Sequence, residues 1–154
     1  MAVPPHRTNR KVFIDSSVFF AAAYSTTGSA HDLLQAGLQG RVTLVLSALV
    51  LEETERNILE NAPTAHPAFL RFQQSLVYQL SQPSRRLMTQ TAQGVVLKDA
   101  ALVAGARAAR AHWLASYDRR HLLTKRAELQ AAFGMTVATP EEILSLLLAQ
   151  RTRQ

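Results

Sequence analysis

Asp15, Glu53, Asp99 and Asp118 are the acids whose positions in the chain invite chemistry. Asp15 follows the apolar run Val12-Phe13-Ile14, and Asp118 comes two residues after the run from Trp113 to Ser116. Glu53 lies one to two turns into a helix that follows another apolar strand, and Asp99 opens an alanine-rich helix. A set of carboxylates with no His or Cys among them is a hard-oxygen site, suited to Mg²⁺ or Mn²⁺ and not to zinc. Several carboxylates in one cleft repel and raise each other's pKa values, and a divalent cation resolves that conflict. One or two such ions activate a water and steady the leaving oxygen of a phosphodiester. Taken singly, the acids have plainer readings. Asp99 and Asp118 serve as caps or first-turn acids, and Glu53 serves as a solvated helix residue. Asp15 resists that treatment, because a carboxylate buried at a strand end is costly without a partner.

The elements that must position these acids follow from the pattern of apolar residues. Val12–Ile14, Arg41–Leu46, Trp113–Ser116 and Met135–Ala138 read as buried strands, short and without polar alternation. Helices are expected over 18–24, from a cap at Ser29, after a cap at Ser47, over 68–80 and over 99–111. The one over 68–80 rests on Phe69, Phe72, Leu76 and Leu80 at helical spacing, with Pro83 to end it. A last helix starts at Thr139 with Pro140 in its first position and Glu142 in its third. Strands alternating with helices give an α/β fold with a parallel sheet covered on both faces. Parallel strands place their carboxyl ends on one edge, where open sheets bind ligands. Asp15 and Asp118 belong to that edge, and the helix starts bring Glu53 and Asp99 within reach of it.

The 154 residues fit one domain, for which roughly 150 is the usual prior. There is no cysteine, so disulfide scaffolds, thiolate metal sites and cysteine nucleophiles are excluded. The N-terminal "MAVPPHRTNR" has no apolar core behind it and does not read as a secretory signal. No apolar run approaches the ~20 residues of a bilayer span. A soluble, cytoplasmic protein with no membrane partner is the expectation. The net charge of +6 favours a polyanionic partner. From Arg85 to Arg126 the chain holds nine basic residues against Asp99 and Asp118, so this segment exceeds the whole net charge. Arg85, Arg86, Arg119 and Arg120 are the candidates for contacts to an RNA backbone.

In this order and spacing, "FIDSSVF" (13–19), "LSALVLEET" (46–54), "LKDAALVAGA" (97–106), "WLASYDRRHL" (113–122) and "VATPEEIL" (137–144) make the chain resemble the PIN domain. The resemblance runs from about Lys11 to Leu148. It implies a three-layer fold, with a central parallel sheet of four to five strands and helices on both faces. It implies a domain over 11–149, preceded by a flexible arm over 1–10 and followed by a polar tail over 150–154. Its acidic quartet falls on Asp15, Glu53, Asp99 and Asp118 as metal ligands and catalytic residues, with Glu53 preferred to Glu52 by its distance from Ser47. Ser116 matches a small hydroxyl residue that supports the first aspartate. Ser17 stands where the family often has Asn, and Arg119, Arg120 and His121 stand where some members carry a further acid. Single-domain members of this length resemble VapC-type toxins, ribonucleases silenced by a protein antitoxin. That likeness implies Mg²⁺ or Mn²⁺ as cofactor, RNA as substrate and an antitoxin as partner, with a homodimer left open. The competing reading is a PIN-fold module that binds RNA or protein without cutting. A haloacid-dehalogenase phosphatase needs an aspartate two residues past Asp15, where the chain has Ser17.

Overall fold

The computed structural model describes residues 9–95 and 97–153. In chain order these form β1 (Lys11–Ile14), α1 (Ser16–Tyr24), α2 (Ser29–Leu38), β2 (Thr43–Ser47) and α3 (Ala48–Asn61). There follow α4 (His66–Ser75), β3 (Tyr78–Ser81), α5 (Arg85–Ala92), α6 (Leu97–Ala108) and β4 (Trp113–Ala115). The last elements are α7 (Arg126–Phe133), β5 (Thr136–Ala138) and α8 (Pro140–Arg151). The five strands are parallel, in the order β3-β2-β1-β4-β5. The chain builds outward from β1 to β3 and then returns to the other side of β1 for β4. The order therefore reverses between β1 and β4, and a crevice opens there at the carboxyl ends of the strands. Helices cover both faces in a three-layer α/β sandwich.

The sheet is central because its strands are apolar on both faces. Val12, Phe13 and Ile14 are fully buried, as are Leu44, Val45 and Leu46 beside them. The pleat sends Phe13 to the face opposite Val12 and Ile14. On Phe13's face α6 comes in close at Gly105, where an added Cβ would meet the Phe13 ring at 3.0 Å. Ser81 Oγ donates to the Gly105 carbonyl at 2.6 Å and fixes that approach from β3. In the layer built from α1 to α4, Phe19 and Phe69 meet edge to face at 5.2 Å, both fully buried.

Several expectations need correction. The helix expected over 68–80 stops at Ser75, and Tyr78–Ser81 is β3, the fifth strand. Phe69, Phe72 and Leu76 keep helical spacing because they pack on the α4 side. Leu80 joins that spacing by coincidence: it is 46% exposed on an edge strand paired with Leu46. Pairing with β2 outweighs the local period. Ser29 is the first residue of α2 and Gly28 is its cap, with no side-chain capping bond. The alanine-rich helix starts at Leu97, so Asp99 is its third residue and not its first. The segment Arg85–Ala92, given no element by the pattern, is the short helix α5 capped by Ser84 Oγ on the Leu87 amide at 3.1 Å. Of the expected N-terminal arm, residues 1–8 lie outside the described residues. At the other end α8 continues through Gln150 to Arg151, past the expected boundary at 149.

The start of α8 forms a capping box, as its sequence announces. Thr139 Oγ1 accepts from the Glu142 amide at 3.2 Å, and Glu142 Oε1 accepts from the Thr139 amide at 3.3 Å. Arg126 of α7 donates to Glu142 Oε2 at 2.9 Å. Burial pushes the Glu142 carboxyl up, but Arg126 and the Thr139 donors outweigh it and hold the group below its ordinary value. A carboxyl lowered on folding contributes stability that is present above its unfolded value, about 4.3. That contribution is lost as pH falls through the lowered folded value. Glu142→Gln is therefore expected to narrow the gap in urea midpoint between pH 7 and pH 3, with the change confined to the neutral side. Equal midpoint losses at both pH values would contradict the assignment.

Candidate active site

The crevice at the switch point is a cleft of about 590 Å³, and Asp15, Glu53, Asp99 and Asp118 all line it. Four separate elements deliver them: the end of β1, the middle of α3, the first turn of α6 and the loop after β4. Asp15 and Asp99 are 7% exposed, while Glu53 and Asp118 are half-buried. Glu52, the neighbour not preferred in the sequence, is exposed and away from the cleft lining, and Glu55 bonds to His66 at 3.2 Å. Among the described residues no three of these acids gather closely enough to hold an ion as they stand.

Asp15 is the most firmly held. Its Oδ1 accepts from the Ser16 amide at 2.7 Å, which makes it the N-cap of α1. Its Oδ2 accepts from Ser116 Oγ at 2.6 Å and from Ser17 Oγ at 2.9 Å. Each serine then accepts an amide from the loop after β4: Ser17 Oγ that of Tyr117 at 3.0 Å, Ser116 Oγ that of Asp118 at 2.9 Å. Ser17 and Ser116 thus each join Asp15 to the loop after β4 through a single hydroxyl. Asp118 Oδ1 accepts from the His121 amide at 2.9 Å, so its plain reading as a turn cap also holds, while the residue still lines the cleft. His121 contributes its backbone there.

Tyr117 and Arg56 are among the residues of the cleft that sequence reasoning missed. Tyr117 lines it and donates its hydroxyl to Glu141 Oε1 of α8 at 2.7 Å. Burial first, then the Glu141 hydrogen bond and charge, push that phenol well above its ordinary value, so it remains a neutral donor. Arg56 also lines the cleft, and the signal for it was present: it follows Glu53 by three residues on α3, hence on the same helix face. The four arginines expected on an RNA backbone behave differently. Arg85, Arg86, Arg119 and Arg120 are exposed, and none of them lines the cleft.

No family model and no curated protein matches the chain. Solved structures do. The chain is similar to PAE2754 from Pyrobaculum aerophilum, with a TM-score of 0.62 at 18% identity over 94% of each chain. It is similar to VapBC2 from Rickettsia felis bound to a promoter DNA fragment, at a TM-score of 0.60 and 12% identity, covering 84% of this chain and 98% of that one. It is similar to VapC20 of Mycobacterium tuberculosis, a toxin that cleaves the sarcin-ricin loop. There the TM-score is 0.50 at 18% identity, over 71% of this chain and 91% of that one. The chain has the PIN-domain fold of the VapC proteins. Among the described residues no helix is long and apolar enough to cross a membrane.

Ser116 carries the prediction that follows from this geometry. It is fully buried, and its single hydroxyl serves both Asp15 and the Asp118 amide. Ser116→Ala strips one donor from a buried carboxylate and leaves an amide unpaired, which is expected to cost about 1–3 kcal/mol of stability. Ser116→Thr keeps the hydroxyl and should recover part of the loss. Urea unfolding of the three proteins checks this, and equal midpoints for Ala and wild type would contradict it.

Proposed function

We propose that the protein is a Mg²⁺- or Mn²⁺-dependent endoribonuclease that acts as the toxin of a toxin–antitoxin pair in the cytoplasm. The observation that carries the reading is the delivery of four carboxylates by four separate elements into one cleft at the switch point of the sheet. The donor set fits a hard divalent cation, because the described residues of the lining offer carboxylate and hydroxyl oxygen with no imidazole or thiolate. Asp15, Glu53, Asp99 and Asp118 would hold it, and when bound it supplies an activated water and charge for the leaving oxygen. Ser17 and Ser116 hold Asp15 at a fixed orientation toward the cleft. Tyr117 closes the side next to α8 with its own hydroxyl already committed to Glu141. Arg85, Arg86, Arg119 and Arg120 would draw RNA to the surface around the cleft. Arg85 and Arg86 stand in the first turn of α5, where the helix dipole disfavours cations, so helix stability is not what they serve.

The alternative is a PIN-fold module that binds RNA or protein without cutting it. It takes support from the same acids, which line the cleft without gathering about one point. Metal binding separates the two. At 100 times its Kd, a cation that binds only the folded chain raises the thermal midpoint by about 5–10 °C. Mn²⁺ is expected to give such a shift to the wild type and not to Asp15→Asn, in which the serine hydroxyls can rotate to accept the new amide and keep the fold. RNA cleavage by the wild type should vanish with chelator and in the purified Asp15→Asn protein. Full activity in that variant would sink the mechanism.

The toxin role draws on the likeness to VapC20 and VapBC2. Expression of this chain alone in a bacterial host is expected to arrest growth, with relief on co-expression of an adjacent small gene. Harmless accumulation of folded, active protein would remove the toxin role and leave the nuclease standing.

A further inference from the structure

We infer that Arg56 takes the phosphate of the substrate in this cleft, through paired hydrogen bonds from its guanidinium to the non-bridging oxygens; the inference rests on the nucleic-acid reading above. Among the described residues that line the cleft, Arg56 is the one with a positive charge, set against four carboxylates. A phosphodiester anion entering such a cleft is repelled by the acids, and a divalent cation offsets only part of their charge. Some cationic side chain has to face the phosphate there. The exposed arginines of the segment 85–126 do not line the cleft.

Helix α3 presents Leu49, Glu53, Arg56 and Asn57 to the cleft along one face. Three residues advance the helix by about 4.5 Å, so Arg56 stands roughly one turn beyond Glu53. Glu and Arg three residues apart on a helix are well placed to pair with each other. They do not: among the described residues the ion pairs are Glu55–His66 and Glu142–Arg126, and Arg56 has none. An exposed guanidinium beside four acids, with no carboxylate taken, keeps its donors for a ligand. The planar fork of arginine matches two phosphate oxygens, which a lysine ammonium does not. As water adds to phosphorus, negative charge grows on the same oxygens, and a donor aimed at them favours the transition state over the ground state.

The test is binding of a labelled single-stranded RNA to the whole chain in chelator, across a salt series, for wild type, Arg56→Ala and Arg56→Lys. Each phosphate contact contributes about −0.7 to the slope of log K against log salt on single strands. Arg56→Ala should reduce the slope by about that amount, and Arg56→Lys should restore it. In Mn²⁺, kcat/KM should fall on the order of 100-fold or more in both variants, because the point charge of lysine lacks the fork. The Mn²⁺-induced thermal shift should persist in Arg56→Ala. An unchanged slope in Arg56→Ala, or no RNA binding by the wild type, overturns the inference. A wild type that binds RNA but neither cleaves it nor responds to Mn²⁺ removes the nuclease reading, and the slope still decides the role of Arg56.

Discussion

A carboxylate at the end of the central strand of a sheet has little water to solvate it, and the protein has to supply the donors itself. Asp15 is in that position, and the solution is made by two serines. Each hydroxyl has one proton and two lone pairs. Ser17 and Ser116 each spend the proton on Asp15 Oδ2 and accept an amide from the loop after β4. The carboxylate is thereby satisfied, and so are two amides that would otherwise be orphaned at the start of that loop. The ladder has already set the stage: Ile14 lies opposite Ala115, and the Asp15 amide donates to the Ala115 carbonyl at 3.1 Å. The polar lattice begins where the β1–β4 pairing ends. It ties the position of Asp118 to that of Asp15 more tightly than a shared sheet edge alone would do.

The same constraint explains how plain and functional readings of one acid coexist. Asp15 caps α1 with Oδ1 and faces the serines with Oδ2; Asp118 caps the following turn with Oδ1. Capping is what orients these short side chains. An aspartate reaches only the amides next to it, and its remaining oxygen is then directed by the backbone. Glu53 has a longer, freer side chain on the middle of a helix, with no capping role to hold it. It is the adjustable member of the four, and Asp15 is the fixed one.

Much of this was legible in the sequence. Val12–Ile14 and Trp113–Ala115 are fully apolar and flanked by turn residues, so their identity as buried parallel strands needs no partner to be recognised. Thr139-Pro140-Glu141-Glu142 spells its capping box outright. β3 was not legible, because Leu76 and Leu80 continue a helical period that begins honestly in α4, and only pairing with β2 contradicts it. Ser29 misled for a related reason: an N-cap is defined by backbone conformation, and Gly28 holds the extended one. For the site, the acids could be placed from strand ends and helix starts. The basic residues could not. A count of charges along the chain drew attention to Arg85–Arg126, whereas the guanidinium that lines the cleft belongs to a helix outside that segment.

Charge along a sequence and charge around a cleft are different quantities, and this fold separates them. The sheet order sends the chain to one side of β1 for its first half and to the other side for its second, so the cleft draws on both. α3 comes from the first half, with Glu53 and Arg56 on one face; α6 and the loop after β4 come from the second, with Asp99 and Asp118. The acids share one cleft because the strand ends and the helices that follow them meet at the one edge. Arg85, Arg86, Arg119 and Arg120 fall where no such rule applies, exposed in the first turn of α5 and in the loop after β4. On the function proposed above, attraction of a polyanion to the surface and contact with its phosphate inside the cleft would rest on different arginines. Long-range attraction depends on summed charge and tolerates loose placement. Contact at reacting atoms depends on the position of one fork, and for the proposed role of Arg56 that position would be set by its three-residue spacing from Glu53.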